Sequence, residues 1–125
     1  MRSFVANVNA GLAAIGVNAQ APKSYAKYFH EVGFSASSIT EQVIPCPGQG
    51  NWLSHPKFRE IGRWELRNMR AHVESRAMTR PFERAGLKPD EIEDLTLRTL
   101  AELDDPNCCW WVPVYIIYAQ KPEDA

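Results

Sequence analysis

The segment that most limits what this chain can fold into is Cys109-Trp110-Trp111-Val112-Pro113-Val114-Tyr115-Ile116-Ile117-Tyr118-Ala119. It is β-branched and aromatic, and its apolar residues run on without alternating. That is the pattern of a strand covered on both faces. A strand at 110–119 of this kind needs neighbours, yet the chain offers only one other candidate, at 36–45. There Ile39, Glu41 and Val43 alternate with Ser38, Thr40, Gln42 and Ile44, the polar mixture of an edge strand. Two strands do not make a stable sheet by themselves. The final strand therefore implies cover from outside these 125 residues.

The remaining elements read as helices. Val5, Val8, Leu12 and Ile15 follow helical spacing and predict a helix over 5–18, stopped by Pro22. A second helix spans 23–32, with Tyr25, Tyr28, Phe29 and Val32 on its apolar side and Gly33 as its stop. A long helix covers 56–76, with Phe58, Ile61, Trp64, Met69 and Val73 as its stripe, and a short one covers 77–85 up to Gly86. Pro89 opens a last helix to 104. Its early acids Asp90, Glu91, Glu93 and Asp94 suit the positive end of the helix dipole, and Ile92, Leu95, Thr99 and Leu103 form its buried face.

Composition excludes some classes. Net charge is -1, so no global field draws the chain to nucleic acid or to an acidic membrane. No apolar run is long enough to span a bilayer. Three cysteines, Cys46, Cys108 and Cys109, do not make a disulfide framework and point to a reducing, intracellular location, cytoplasmic or nuclear. The competing signal is Met1-Arg2, an apolar stretch and Ala19-Gln20-Ala21, which imitates a secretory leader with its cleavage site. Asn7 and Asn9 interrupt that stretch.

Several pieces resemble the fungal LaeA-like class I SAM-dependent methyltransferases. Val114 to Pro122 resembles their closing strand with its Lys-Pro ending, and Tyr25 to Phe34 resembles the helix and turn before their sixth strand. Pro47-Gly48-Gln49-Gly50-Asn51-Trp52, followed by Lys57-Phe58-Arg59-Glu60-Ile61-Gly62, is similar to a substrate-side stretch of that family, and Leu87 to Leu103 to their last long helix. The resemblance implies one partial α/β domain over 1–125, an incomplete Rossmann-like fold. It would hold the last two strands of a seven-stranded sheet, edge strand 36–45 and closing strand 110–119, normally antiparallel to one another at one edge, and a helical substrate cap at 56–104. The glycine-rich turn and ribose-binding acid that hold SAM are missing, since no glycine pair opens a helix after a strand. On this reading SAM is the cofactor of the full-length family and none is bound by this chain alone. The function implied is a truncated, inactive methyltransferase linked to fungal secondary metabolism. The alternatives are a non-catalytic partner subunit or a small helical interaction module. The partner implied is a second copy or a SAM-binding chain, joined through the open sheet edge.

The residues that stand out lie around the long helix. Trp52, His55 and Trp64 fall where the family's cap would be, where aromatics either line an apolar pocket or pack cap helices together. Arg59, Arg63, Arg67 and Arg70 share one helical face. Residues 57–84 hold eight basic and four acidic groups, a net of +4, and residues 88–105 hold two basic and seven acidic, a net of -5. The arginine face is either a surface for phosphate or an acidic partner, or a solvated face paired with the acidic helix. The candidate pocket or partner surface is therefore Trp52, His55, Trp64, Arg59 and Arg63. Neither metal-ligand spacing nor a cysteine-histidine nucleophile pair is indicated among the cysteines and His30, His55 and His72.

Overall fold

A computed structural model describes residues 1–48 and 54–121. The elements in chain order are α1 (Arg2–Ala14), α2 (Tyr25–Glu31), β1 (Ile39–Pro47), α3 (Pro56–Glu74), α4 (Thr79–Arg84), α5 (Pro89–Asp104) and β2 (Trp111–Ala119), with single 3-10 turns at Ala21–Ser24 and Ala36–Ser38. The chain divides into two compact units, one of residues 1–18 and 46–112, the other of 19–45 and 113–125.

The first unit is helical. Phe4, Val73, Phe82, Ile92, Leu95, Leu103 and Trp110 form its core, with Val8, Leu66, Met69 and Leu100 packed against it. The predicted face of α5 is the buried one: Ile92, Leu95, Thr99 and Leu103 are inside, together with Thr96. Two buried threonines cost little, because each hydroxyl donates to the carbonyl one turn back, Thr96 to Ile92 and Thr99 to Leu95, both at 2.7 Å. The start of α5 has Pro89 in its first turn, as its sequence suggests, and is capped by the Glu91 carboxylate, which accepts from the Lys88 amide at 2.7 Å.

The inward face of helix α1 shares Val8 with the face its spacing predicts but is turned away from Val5 and Ile15. Phe4 and Gly11 are buried, while Val5 and Ile15 are about half exposed. The reason lies in α4. A Cβ at Gly11 would stand 2.7 Å from the Pro81 carbonyl carbon, so this glycine allows the two backbones to approach. Phe4 then meets Phe82 edge-on, with ring centroids 5.6 Å apart. In α3 the stripe is also only partly inside. Val73 is buried and Met69 packs on the core, whereas Phe58 and Trp64 are exposed.

Arg76, two residues beyond α3, has φ 58, the left-handed region that a glycine adopts without strain. Its guanidinium pairs with Glu93 on α5. That hydrogen bond holds the Glu93 carboxyl below its ordinary range and raises the arginine's own. Both groups are exposed, so the pair is screened by solvent. Arg76→Gly is therefore expected to leave the melting temperature unchanged or a few degrees higher. A thermal melt followed by circular dichroism checks this, and a clear drop would show that the Glu93 pair outweighs the backbone strain.

The second unit contains α2, most of β1 and most of β2, and none of its described residues is buried. Tyr25, Tyr28 and Val32, expected on the inner side of α2, are 38%, 43% and 74% exposed. Strand β2 does not have the double cover its composition suggests: Val114, Ile116 and Tyr118 are 40%, 39% and 56% exposed.

The sheet holds two strands, antiparallel and open. This corrects the Rossmann-like reading. That fold needs a parallel sheet with helices on both faces. Here α1 packs on α4 and α5, and α3 packs on α5, so the helices bury their stripes against one another. Residues 56–104, expected to cap a sheet, supply most of a helical core instead.

The strand register follows from the matched spans Ile39–Pro47 and Trp111–Ala119 and from the Gly48 amide, which donates to the Trp110 carbonyl at 2.8 Å. In an antiparallel pair this sets Ile44 beside Val114 and Gln42 beside Ile116, with their N–H groups turned to the partner strand. Odd-numbered residues of both strands turn their N–H groups outward. All three strand prolines, Pro45, Pro47 and Pro113, occupy such outward positions, where a missing donor costs the ladder nothing.

Candidate functional site: the arginine face of helix α3

Helix α3 begins at Pro56, and the His55 side chain caps it, its Nδ1 accepting from the Lys57 amide at 3.2 Å. The His55 ring also lies edge-on to Phe58, with centroids 5.8 Å apart. From there the first turns of the helix are exposed through Glu60. The second half is held by Leu66, Met69 and Val73 against the core. A helix anchored at one end and bare at the other presents its polar face without needing a partner for its own stability.

On that face lies a recess of 690 Å³ lined by Pro56, Arg59, Glu60, Arg63, Trp64, Leu66 and Arg67. Three arginines stand at four-residue intervals, about 6 Å apart along the axis at a rise of about 1.5 Å per residue. Arg59, Arg63 and Arg67 make no ion pair with any described residue. The Arg67 guanidinium carbon lies 5.3 Å from the centre of the Trp64 ring, and Trp64 is 58% exposed. With Glu60, the lining has a net charge of +2.

The fourth arginine of the series behaves otherwise. Arg70 bonds Glu74 within its own helix at 3.4 Å and reaches Asp104 on α5. The arginine face is thus split between the two readings of it: the end near α5 is paired with the acidic helix, and the end near Pro56 has no ion-pair partner among the described residues.

Of the residues singled out in the sequence, the recess brings together Arg59, Arg63 and Trp64. His55 is spent on the helix cap, and Trp52 lies outside the described residues. Arg67, part of the arginine spacing but left out of the candidate set, belongs to the recess. What it adds, stacking on Trp64, could have been read from the three-residue interval between them, which places both on one face.

The seven described lining residues all come from a single helix. Small-molecule sites bury most of their ligand between several walls. A one-helix face suits an elongated partner. Among the described residues no three His, Cys, Asp or Glu side chains group as metal ligands. Among them, no helix is long and apolar enough to cross a membrane.

The chain matches no protein-family model, no curated protein and no solved structure. Together with the two-stranded antiparallel sheet, this overturns the reading of the chain as a truncated SAM-dependent methyltransferase of secondary metabolism. SAM as its family cofactor falls with that reading, because the parallel sheet whose strand ends would carry the cofactor is not the architecture of this chain.

Proposed function

We propose that this protein is a protein-interaction module that binds an acidic peptide segment of a partner through the exposed face of α3. The observation that carries this is the set of three arginines, Arg59, Arg63 and Arg67, without an ion-pair partner among the described residues, beside the half-exposed Trp64. Guanidinium groups bond carboxylates bidentately and stack on aromatic faces, so an arginine already lying on a tryptophan keeps its fork available at a reduced entropy cost. Carboxylates on alternate residues of an extended peptide repeat at roughly 6.5–7 Å. That interval is close to the arginine spacing of about 6 Å on a helix. Trp64 and the exposed part of Leu66 offer one apolar contact to a side chain of the same peptide. The single Glu60 in the lining lowers the attraction for a uniform polyanion.

The test is fluorescence anisotropy with a labelled ten-residue peptide of alternating Glu and Ser with one central Leu. Binding is expected in low salt and should weaken as salt rises, because surface charges are screened. The double substitution R59E/R63E should weaken binding at least about tenfold, which is about 1.4 kcal/mol. It should leave the far-ultraviolet circular dichroism unchanged, since both side chains are exposed. Equal affinity of the variant, or no binding by the native chain, would remove the proposal. Tighter binding to a polyphosphate of matched charge would also count against it.

A further inference from the structure

The second unit has strands and a helix but no buried residue among those described, and its sheet has two open edges. The two edges are not equivalent. On β1 the outward positions are Ile39, Glu41, Val43, Pro45 and Pro47, so that edge carries a charge and ends in two residues without a donor. On β2 they are Trp111, Pro113, Tyr115, Ile117 and Ala119, and the strand carries no charge along its length. Natural edge strands are usually protected by charge, proline or a covering element. Pro113 protects the first half of the β2 edge. Among the described residues no charge, proline or further strand protects the stretch from Tyr115 to Ala119.

We infer that this stretch pairs with the same stretch of a second copy of the chain. Three outward donors and acceptors, at Tyr115, Ile117 and Ala119, form a self-complementary set. An antiparallel pair with its two-fold axis at Ile117 sets each Tyr115 opposite the other copy's Ala119 and each Ile117 opposite itself. Any shift towards Trp111 brings Pro113 into the ladder, where it has no hydrogen to donate. The two-fold arrangement at Ile117 is therefore the register that uses all three positions. It is isologous, so it closes at two copies. The same register places Ile116 opposite the other copy's Tyr118 on one face, a β-branched and aromatic pair of the kind that stabilises sheets. It extends the half-exposed row of Ile44, Val114, Ile116 and Tyr118 across the axis into one apolar face of a four-stranded sheet. The absence of charge on β2 selects the second copy as occupant, because no like charges meet when the strand pairs with itself. The charged edge, at Glu41, lies on the far side of each sheet.

Multi-angle light scattering of the full chain at about 100 µM tests this, a concentration at which micromolar dimers are well populated. The native chain is expected at twice its monomer mass. I117P removes the central outward donor and should give a monomer. So should I117K, which keeps the backbone intact and sets two positive charges opposite one another at the axis. V43P makes the same backbone change at an outward position of the other edge and should remain a dimer. A native monomer, a mass that grows beyond two copies, an I117K dimer or a V43P monomer would each overturn the inference. None of these outcomes bears on peptide binding by α3, since no variant touches that helix.

Discussion

Phe82→Ala is expected to destabilise the helical unit by about 3–5 kcal/mol, the usual range for removing a buried phenylalanine. Phe82 is 2% exposed and sits on α4, with its ring against Phe4 of α1. Truncating it opens a void where the short helix meets the first one, and α4, with six residues, has little length over which to close it. Domains of this size are stable by only about 5–15 kcal/mol in total, so the loss is a large share. Urea unfolding followed by circular dichroism measures it. Leu97→Ala, on the exposed face of α5 at 57% exposure, is the reference and should change stability by no more than about 0.5 kcal/mol. A Phe82→Ala cost below about 1.5 kcal/mol would mean that α4 is not part of the core.

Gly48→Ala is the second large effect. The Trp110 ring occupies the space that a Cβ at position 48 would fill. Neither side can yield easily. The Gly48 amide is bonded to the Trp110 carbonyl, and Trp110, 8% exposed, is a core residue. Overpacking of this sort costs about 1–3 kcal/mol. Here the ring must also leave the core, so the upper part of that range is expected, together with a red shift of the tryptophan emission as Trp110 becomes wetter. A melting temperature within a degree of the native chain, with unchanged emission, would show that the turn adapts.

Gly48 also shows how a sequence pattern can be legible and yet misattributed. The stretch from Pro47 to Trp52, which contains Gly48, carries much of the resemblance to the methyltransferases. In the structure the glycine answers to a local steric demand, set by a tryptophan sixty-two residues further along the chain. The same holds for the apolar final strand. Its residues favour a strand wherever they are placed, but what covers a strand depends on the rest of the chain, and these helices cover one another.

For the candidate site, the intervals between Arg59, Arg63 and Arg67 were visible as one helical face. The sequence could not separate them from Arg70, because only the path of α5 brings Asp104 to Arg70, while among the described residues no carboxylate pairs with the other three. Nor could it assign His55 to a helix cap, a role that depends on the backbone at Lys57.

The sequence by itself determined the kind and order of the elements, although α1 ends at Ala14, well before Pro22, and β1 runs over Ile39–Pro47, through prolines expected in a loop. Proline at Pro56 and Pro89, the stops at Gly33 and Gly86, and the strand-forming run before Lys121 act through hydrogen bonds and sterics within a few residues of themselves. The buried face of α5 was determined in the same way, because its apolar and threonine positions form a single stripe. Only the tertiary structure decided that the buried face of α1 is turned from Val5 and Ile15 towards Phe4 and Gly11, that Phe58 and Trp64 stay in water, and that the helices form their own core instead of flanking a sheet. The physical reason is that burial is a competition between faces, settled by which surfaces fit. The deciding contact for α1 is the meeting of Gly11 with Pro81, residues far apart in sequence whose fit no local pattern records.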